Sequence, residues 1–164
     1  MFLPGSKAWC CATARLPFFF KLGGEPLLKK EFDIHRASGT KHPLCDKYRI
    51  DAIPLSHEKI DEWRDSLRGG ITAKIDGTNV VITGGVDDMW IIPEGEYIVV
   101  DYKPTAKDGE VGLDADWQIG YKRQIEIYQW LFRKNGFKVS NTGYFVYRNG
   151  NTDIDYFVIT TYSF

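Results

Sequence analysis

Two short apolar runs on either side of a tight turn constrain the fold of this chain more than any other feature. The runs are residues 85–92 and 96–102, both rich in β-branched side chains, and the turn lies at residues 93–95. This pattern predicts an antiparallel pair of strands. Charged residues are concentrated at the open end of the pair, which indicates either a solvated rim or a place where chemistry occurs.

The charged end of the pair holds Asp87 and Asp88 on one strand, and Asp101 and Lys103 on the other. Because side chains alternate along a strand, Asp101 and Lys103 share a face, while Asp87 and Asp88 face opposite ways. Only one of the two adjacent aspartates can therefore join the other pair. We predict that one carboxylate from each strand meets at a single point, with a lysine beside them.

The rest of the chain predicts helices around a larger sheet. A short helix is expected at about 26–36, a second helix after Ser56 as its N-cap, and a long helix at about 115–135, with Asp114 or Asp116 as its cap. Further strands are expected at about 71–83, where a turn is possible at Asp76–Gly77, and at about 141–150 and 154–164. The core order α-β-β-β-α-β-β indicates an α/β (α+β) fold with a central mixed β-sheet flanked by helices.

We divide the 164 residues into an N-terminal extension, 1–54, and a core, 55–164. The extension is partly irregular and partly helical. The final strand ends at Phe164 with nothing after it, so we expect the core to be truncated at its C-terminus.

The long helix carries an apolar stripe that contains one amide. Gln124 lies within this stripe, one turn before Tyr128. Burying an amide without a hydrogen-bond partner costs about 1–3 kcal/mol, so Gln124 needs a partner on the sheet. It is either a satisfied core glutamine, or it overhangs the acidic cluster together with Tyr128.

Carboxylate oxygens at the charged end suit Mg²⁺ or Mn²⁺, which prefer carboxylates, backbone carbonyls and water. A cation held there can activate water and stabilise charge on a phosphate. The alternative is a surface network of carboxylates and lysine, which is common at strand ends.

Composition limits the other possibilities. The chain is 43% apolar and 26% charged, with a net charge of −1, so it does not attract nucleic acid through its overall field. No apolar run approaches the roughly 20 residues that a membrane helix needs, and we expect no membrane partner. Cys10, Cys11 and Cys45 lack disulfide spacing, which favours a cytoplasmic location.

Three motifs together resemble the RecB-like branch of the PD-(D/E)XK nucleases, which includes the CRISPR-adaptation exonucleases. The motifs are "GGVDD", "IVVDYK" and "QIEIY", in this order, and the resemblance covers roughly residues 55–150. It implies a restriction-endonuclease-like core and metal-dependent hydrolysis of phosphodiester bonds in single- or double-stranded DNA, by either an exonuclease or an endonuclease. It also implies a role in DNA repair, recombination or defence against mobile elements.

The resemblance implies a role for each motif residue. Asp87 matches the first metal ligand and Asp101 the second, and Lys103 matches the catalytic lysine. The Tyr102 backbone carbonyl would add a third oxygen, and Gln124 and Tyr128 match the supporting helix motif. Asp88 is the alternative to Asp87, because the hairpin counted from Asp87 is one residue longer than is usual in the family.

The resemblance also suggests an upstream histidine ligand. His57 is the best candidate, followed by His42 and His35, with Glu58 as a further possibility. A surface histidine near a helix start is an equally good interpretation of His57.

Many relatives in this branch hold a 4Fe-4S cluster through one N-terminal and three C-terminal cysteines. Cys10 or Cys11 could be the N-terminal ligand, but no cysteine follows Cys45. A cluster needs about four such ligands. This chain therefore has no complete iron–sulfur site, unless a protein partner or a missing C-terminal segment supplies the rest.

Candidate contacts to nucleic acid are Lys107, Lys122 and Arg123, while Arg133 and Lys134 are expected on a solvated face. Trp90 or Trp117 could stack on bases, although both suit core packing. Besides a nuclease, two other functions stay open. One is a catalytically inactive nuclease fold that binds nucleic acid or a protein, and the other is a metal-dependent phosphoesterase acting on nucleotides.

Overall fold

Four helices and seven strands form the part of the chain that the computed structural model describes, residues 24–105, 119–149 and 157–163. The elements are α1 (Gly24–Ser38), α2 (Pro43–Lys47), β1 (Ile53–Pro54), α3 (Ile60–Arg64), β2 (Ile71–Lys74), β3 (Val81–Gly84), β4 (Asp88–Ile91), β5 (Tyr97–Thr105), α4 (Ile119–Lys134), β6 (Thr142–Asn149) and β7 (Phe157–Ser163). None of the helices in these ranges is both long and apolar enough to cross a membrane.

A five-stranded mixed sheet forms the centre of the fold. Its strand order is β1-β4-β5-β6-β7, and β2 pairs with β3 in a separate two-stranded sheet. β5 and β6 are parallel, while the other neighbours in the large sheet are antiparallel. Parallel neighbours need a crossover, and α4 provides it. The predicted α/β fold with a central mixed sheet and flanking helices is therefore confirmed.

The sheet has a different apolar core on each face. Alternate residues of β5 belong to different cores, because successive strand side chains point to opposite faces. Ile98, Val100 and Tyr102 pack with residues of α1 and α2. Val99, between them, packs with residues of α3 and α4. By the same alternation Asp101, two residues after Val99, lies on the α4 face of the sheet. This face is therefore apolar in the middle of β5 and charged towards its end.

The division predicted at residue 54 does not correspond to a boundary in the described residues. Leu28 and Phe32 of α1 share a core with Trp90 and Tyr102 of the sheet. β1 pairs with β4, so it is a strand of the main sheet. Helices α1 and α2 are needed because the sheet is apolar on both faces, and α4 covers only one of them.

Residues 71–84 form the β2–β3 hairpin, with Gly77 in its turn at φ 73°, so the possible turn at Asp76–Gly77 is confirmed. The helix before it needs correction. The helix predicted from Ser56 begins only at Ile60, with Lys59 at the N-cap. It ends early because the Asp65 carboxylate accepts hydrogen bonds from the N–H groups of the two residues at positions 67 and 68, and so forms a turn. Residues 114–118, with the predicted caps of the long helix, lie outside the described residues.

Two glycines set the height of α4 above the strands. A Cβ atom at Gly143 of β6 would lie 2.6 Å from the Cγ2 atom of Ile125. At Gly84 of β3, a Cβ atom would lie 2.6 Å from a ring carbon of Tyr128. Atoms cannot approach this closely, so the helix reaches its position only because these positions lack side chains.

We expect Gly143→Ala to lower the free energy of unfolding by about 1–3 kcal/mol, because the added methyl group overpacks the contact with Ile125. Urea denaturation followed by circular dichroism measures this change. Gly120→Ala in α4 is the matched control, since a Cβ atom at Gly120 meets nothing within 4 Å. If both variants unfold at the same urea concentration, glycine does not set the helix height.

Candidate active site

Two aspartates meet at the end of the β4–β5 pair. Asp101 in β5 is 2% exposed. Asp87, the residue before β4, accepts a hydrogen bond from the backbone N–H of Tyr102 at Oδ2, 2.9 Å away. This bond continues the strand pairing where the backbone of β4 ends. It also holds the Asp87 carboxylate close enough to Asp101 for its negative charge to contribute to a raised pKa of Asp101.

Lys103 lies against this acid pair. Its Nζ atom is 2.7 Å from Oδ2 of Asp101, in an ion pair that lacks the angles of a directed hydrogen bond. The same ammonium donates to Oε1 of Gln124 at 3.4 Å and lies 4.5 Å from the ring centre of Tyr121. Helix α4 therefore holds Lys103 from above, while Asp101 holds it from the sheet.

Gln124 and Tyr128 complete a chain of polar contacts above the strands. Nε2 of Gln124 donates to the Tyr128 hydroxyl at 2.8 Å. Burial, together with the nearby negative charges, raises the pKa of Tyr128. Because the Tyr128 ring rests on Gly84, a residue of the "GGVDD" motif supports the helix motif directly. The structure thus brings together Asp87, Asp101, Lys103, Gln124 and Tyr128.

Burial dominates the electrostatics of Asp101. Loss of solvation raises its pKa to about 7, a rise that Lys103 opposes and the Asp87 carboxylate increases. The group therefore sits in an environment that disfavours its negative charge despite the adjacent lysine. A buried carboxylate with this property is typical of sites that bind a cation or transfer a proton.

Asp88 points to the opposite face of the sheet and is fully buried. Its carboxylate accepts hydrogen bonds from Arg36 at 2.5 Å, Arg64 at 2.8 Å and the Tyr102 hydroxyl at 2.6 Å. The backbone N–H of Met89 is a fourth donor, 2.8 Å away. Asp88, the alternative metal ligand, is therefore directed away from Asp101 and bound to arginines.

The interactions of Asp88 extend to a second carboxylate. Asp33 accepts a hydrogen bond from Arg36 at 3.0 Å and from Arg64 at 2.9 Å. Arg36 also donates to the backbone carbonyl of Leu55. We call Asp33, Arg36, Arg64 and Asp88 the arginine–aspartate network. It joins α1, α3 and β4 on the face behind the acid pair, and its two negative and two positive charges balance.

The predicted histidine ligand does not lie at the acid pair. His57 stacks on Trp63 and meets the edges of Tyr97 and Phe137. Tyr97 begins β5, four residues before Asp101, and four residues of strand span about 13 Å. His57 therefore belongs to the other end of the strand, where it packs against aromatic rings.

The further ligand candidates also lie elsewhere. His42 is buried against Phe32 and accepts the N–H of Leu44 at the start of α2. His35 contacts His42 and the Thr40 hydroxyl. Glu58 is exposed beside α3. The two histidines have local structural partners, which accounts for their positions.

The residues predicted to contact nucleic acid do not form a defined cluster among the described residues. Arg123 is exposed, and Lys122 lies 5.8 Å from the ring centre of Tyr162. Trp90 is fully buried against Phe32 and so offers no face for a base. Lys107 and Trp117 lie outside the described residues.

Two of the residues expected on a solvated face have defined partners. Arg133 donates to the backbone carbonyls of Val139 and Ser140, and therefore stabilises the loop after α4. Lys134 pairs with Asp76 of the β2–β3 turn.

Cys45 is a buried free cysteine on the α1 face, and burial raises the pKa of its thiol to about 11. It is therefore a core residue. Cys10 and Cys11 lie outside the described residues.

Two residues near the acid pair were missed by the sequence analysis. Lys29 of α1 lies 3.3 Å from Oδ1 of Asp87. Tyr147 of β6 is the strand neighbour of Lys103 and is 3% exposed, and its hydroxyl has no hydrogen-bond partner among the described residues. Burial raises its pKa to about 12. Neither residue lies in a recognisable motif, because their proximity results from packing between distant elements.

The acid pair is small for a metal site made only of protein side chains. The described residues contain no group of three or more His, Cys, Asp and Glu side chains that could hold a metal ion. A cation at the acid pair would have Asp87 and Asp101 as its charged ligands. Its remaining ligands would be backbone carbonyls, water or substrate.

No family model and no curated protein matches the chain. The solved crystal structure of SSO0001 is similar to it, with a TM-score of 0.38 and 19% sequence identity. The match covers 85% of this chain and 61% of that one, so this chain spans less than two thirds of the solved structure's length.

We expect Asp88→Ala to lower the free energy of unfolding by about 3–5 kcal/mol, because it leaves two buried arginines without their shared carboxylate. Asp87→Ala is the matched control, since it removes a half-buried carboxylate one position away and should cost about 1 kcal/mol or less. Urea denaturation of both variants measures the difference. Equal losses would contradict the separate environments of the two aspartates.

Asp101→Asn should stabilise the protein at pH 8 but much less at pH 5. The folded protein raises the pKa of Asp101 from 3.8 to about 7. The stability due to its protonated form is therefore fully present below about pH 4 and is lost as the pH rises to about 7. Asparagine does not ionise, so the variant should gain on the order of 2–4 kcal/mol relative to wild type across this range. Urea denaturation from pH 5 to pH 8 tests this, and a constant difference would contradict it.

Proposed function

We propose that this chain is a Mg²⁺- or Mn²⁺-dependent nuclease that hydrolyses phosphodiester bonds in DNA, acts in the cytoplasm, and belongs to the RecB-like branch of the PD-(D/E)XK nucleases. One observation carries the proposal. The carboxylates of Asp87 and Asp101 meet beside Lys103, and Lys103 is bound by Gln124 from the helix above.

The donor set at the acid pair fits Mg²⁺ or Mn²⁺ better than zinc. These cations are commonly bound by one or two carboxylates, with water and substrate phosphates as the other ligands. Zinc sites usually have three or four protein ligands. Asp87 and Asp101 would hold the cation, and the Tyr102 carbonyl is a further oxygen donor on the same strand. The raised pKa of Asp101 supports this fit, because a cation would offset the burial of its charge and, to a smaller extent, the repulsion from Asp87.

The bound cation would supply a polarised water and positive charge at the phosphate under attack. The protein residues have separate roles around it. Lys103, which now lies 2.7 Å from Asp101, is placed to orient the attacking water or to offset charge on the phosphate. Gln124 fixes the lysine, and Tyr128 fixes Gln124 through its hydroxyl.

The burial of Asp101 argues against a purely structural ion pair. A solvated carboxylate–lysine network would cost the protein little. Asp101 is instead 2% exposed beside a second carboxylate, and this arrangement disfavours its charge. Such an arrangement is understandable if the site binds a cation, since the cost in the free protein is then recovered on binding.

Labelled single- and double-stranded DNA should be cleaved by the wild-type protein in Mg²⁺ or Mn²⁺. Asp101→Asn and Lys103→Met should each reduce the cleavage rate by about 10²-fold or more, because each removes a group that contacts the reacting centre. Lys138→Met is the control for the lysine, since Lys138 pairs with Glu96 at the opposite end of β5. Asp76→Asn, in an exposed turn, is the control for the carboxylate.

Other outcomes would favour the other functions. Cleavage that survives both site substitutions would contradict the assignment of the site. Metal-independent DNA binding without cleavage would favour a catalytically inactive nuclease fold. Hydrolysis of nucleotides, but not of DNA, would favour a phosphoesterase.

A further inference from the structure

Lys29 brings the N-terminal helix into contact with the acid pair. Its ammonium lies 3.3 Å from Oδ1 of Asp87, and both side chains are partly buried. The neighbouring Leu28 is 2% exposed and anchors α1 on the sheet. Lys29 therefore reaches Asp87 from a fixed helix, on the side of the sheet opposite α4.

The two oxygens of Asp87 are bound in different ways. Oδ2 accepts the N–H of Tyr102, which belongs to the strand backbone and cannot move independently. Oδ1 pairs with Lys29, whose ammonium is carried on a flexible four-carbon stem. Of the two partners, only the lysine can leave without disturbing the sheet.

A divalent cation at the acid pair would compete with Lys29. Like charges a few Å apart in a partly buried site repel by amounts that matter for binding. A cation at Asp87 would therefore displace the ammonium from Oδ1. A nucleic-acid phosphate bound at the cation would present negatively charged oxygens within the reach of the displaced lysine.

We propose that Lys29 is a phosphate-binding residue of the site that exchanges Asp87 for a substrate phosphate when the cation binds. The exchange couples the two ligands: the phosphate draws Lys29 away from Asp87 and thereby favours the cation. By linkage, the cation favours nucleic acid to the same extent. This inference rests on the proposed function, because it requires a cation at Asp87 and a phosphate beside it.

Lys29→Met should change the two affinities in opposite directions. Without nucleic acid, its Kd for Mn²⁺, measured by isothermal titration calorimetry, should fall about three- to tenfold, because the competing charge is gone. Its Kd for a fluorescein-labelled single-stranded oligonucleotide in Ca²⁺, measured by anisotropy, should rise by a similar factor. In EDTA the oligonucleotide affinity should change much less, since Lys29 is then paired with Asp87.

Two further variants make the comparison specific. Lys30→Met removes the same charge from the next, exposed position of α1. It should leave the Kd for Mn²⁺ and the Kd for the oligonucleotide close to those of the wild type. Lys29→Arg keeps the charge and should restore most of the oligonucleotide affinity in Ca²⁺.

The possible failures are distinguishable. If Lys29→Met lowers both affinities, or behaves like Lys30→Met, the role of Lys29 is wrong, although wild-type cleavage of DNA would leave the proposed function standing. If the wild-type protein neither binds Mn²⁺ nor cleaves DNA, the proposed function fails and the role of Lys29 fails with it.

Discussion

The buried carboxylate of Asp88 is the interaction on which the rest of the structure depends. It receives four hydrogen bonds, two of them from arginines that lie 52 and 24 positions away in the sequence. Helices α1 and α3 are thereby tied to β4, and the Tyr102 hydroxyl ties β5 to the same point. A buried charge is costly unless it is fully paired. The elements that supply its partners must therefore be in place for the fold to be stable.

The same network positions the acid pair through the alternation of strand side chains. Asp88 and Tyr102 point to one face, so Asp87 and Asp101, their immediate neighbours in the chain, lie together on the other side of the strand pair. The charge-balanced arginine–aspartate network on one face thus fixes two carboxylates on the other face, where their charges are unfavourable. The two adjacent aspartates have separate tasks, and the division follows from the two-residue period of a strand.

Local patterns were sufficient for some of this arrangement. Alternation predicted that only one of Asp87 and Asp88 lies beside Asp101. Helical spacing predicted that Gln124 and Tyr128 share one face of the long helix, and left a position above the acid pair as one of two possibilities. The sequence did not indicate where His57 would lie, because a position at a helix start does not specify which end of the sheet the helix approaches. Lys29 was missed for the same reason, since its contact with Asp87 joins elements 58 residues apart in the chain. Long-range packing decides such contacts, and single-sequence patterns do not contain it.

The glycines beneath α4 have a consequence for how the protein can change in sequence. Because Ile125 and Tyr128 of the helix rest on positions without side chains, its distance from the strands is set by these two side chains and the strand backbone beneath them. Apolar residues elsewhere in the core can exchange with one another, provided that volume is kept, without altering this distance. The distance between the Gln124 amide and Lys103 therefore does not depend on the identity of the other core residues. An engineer who keeps the two glycines and the side chains that rest on them could replace other core residues and preserve this contact.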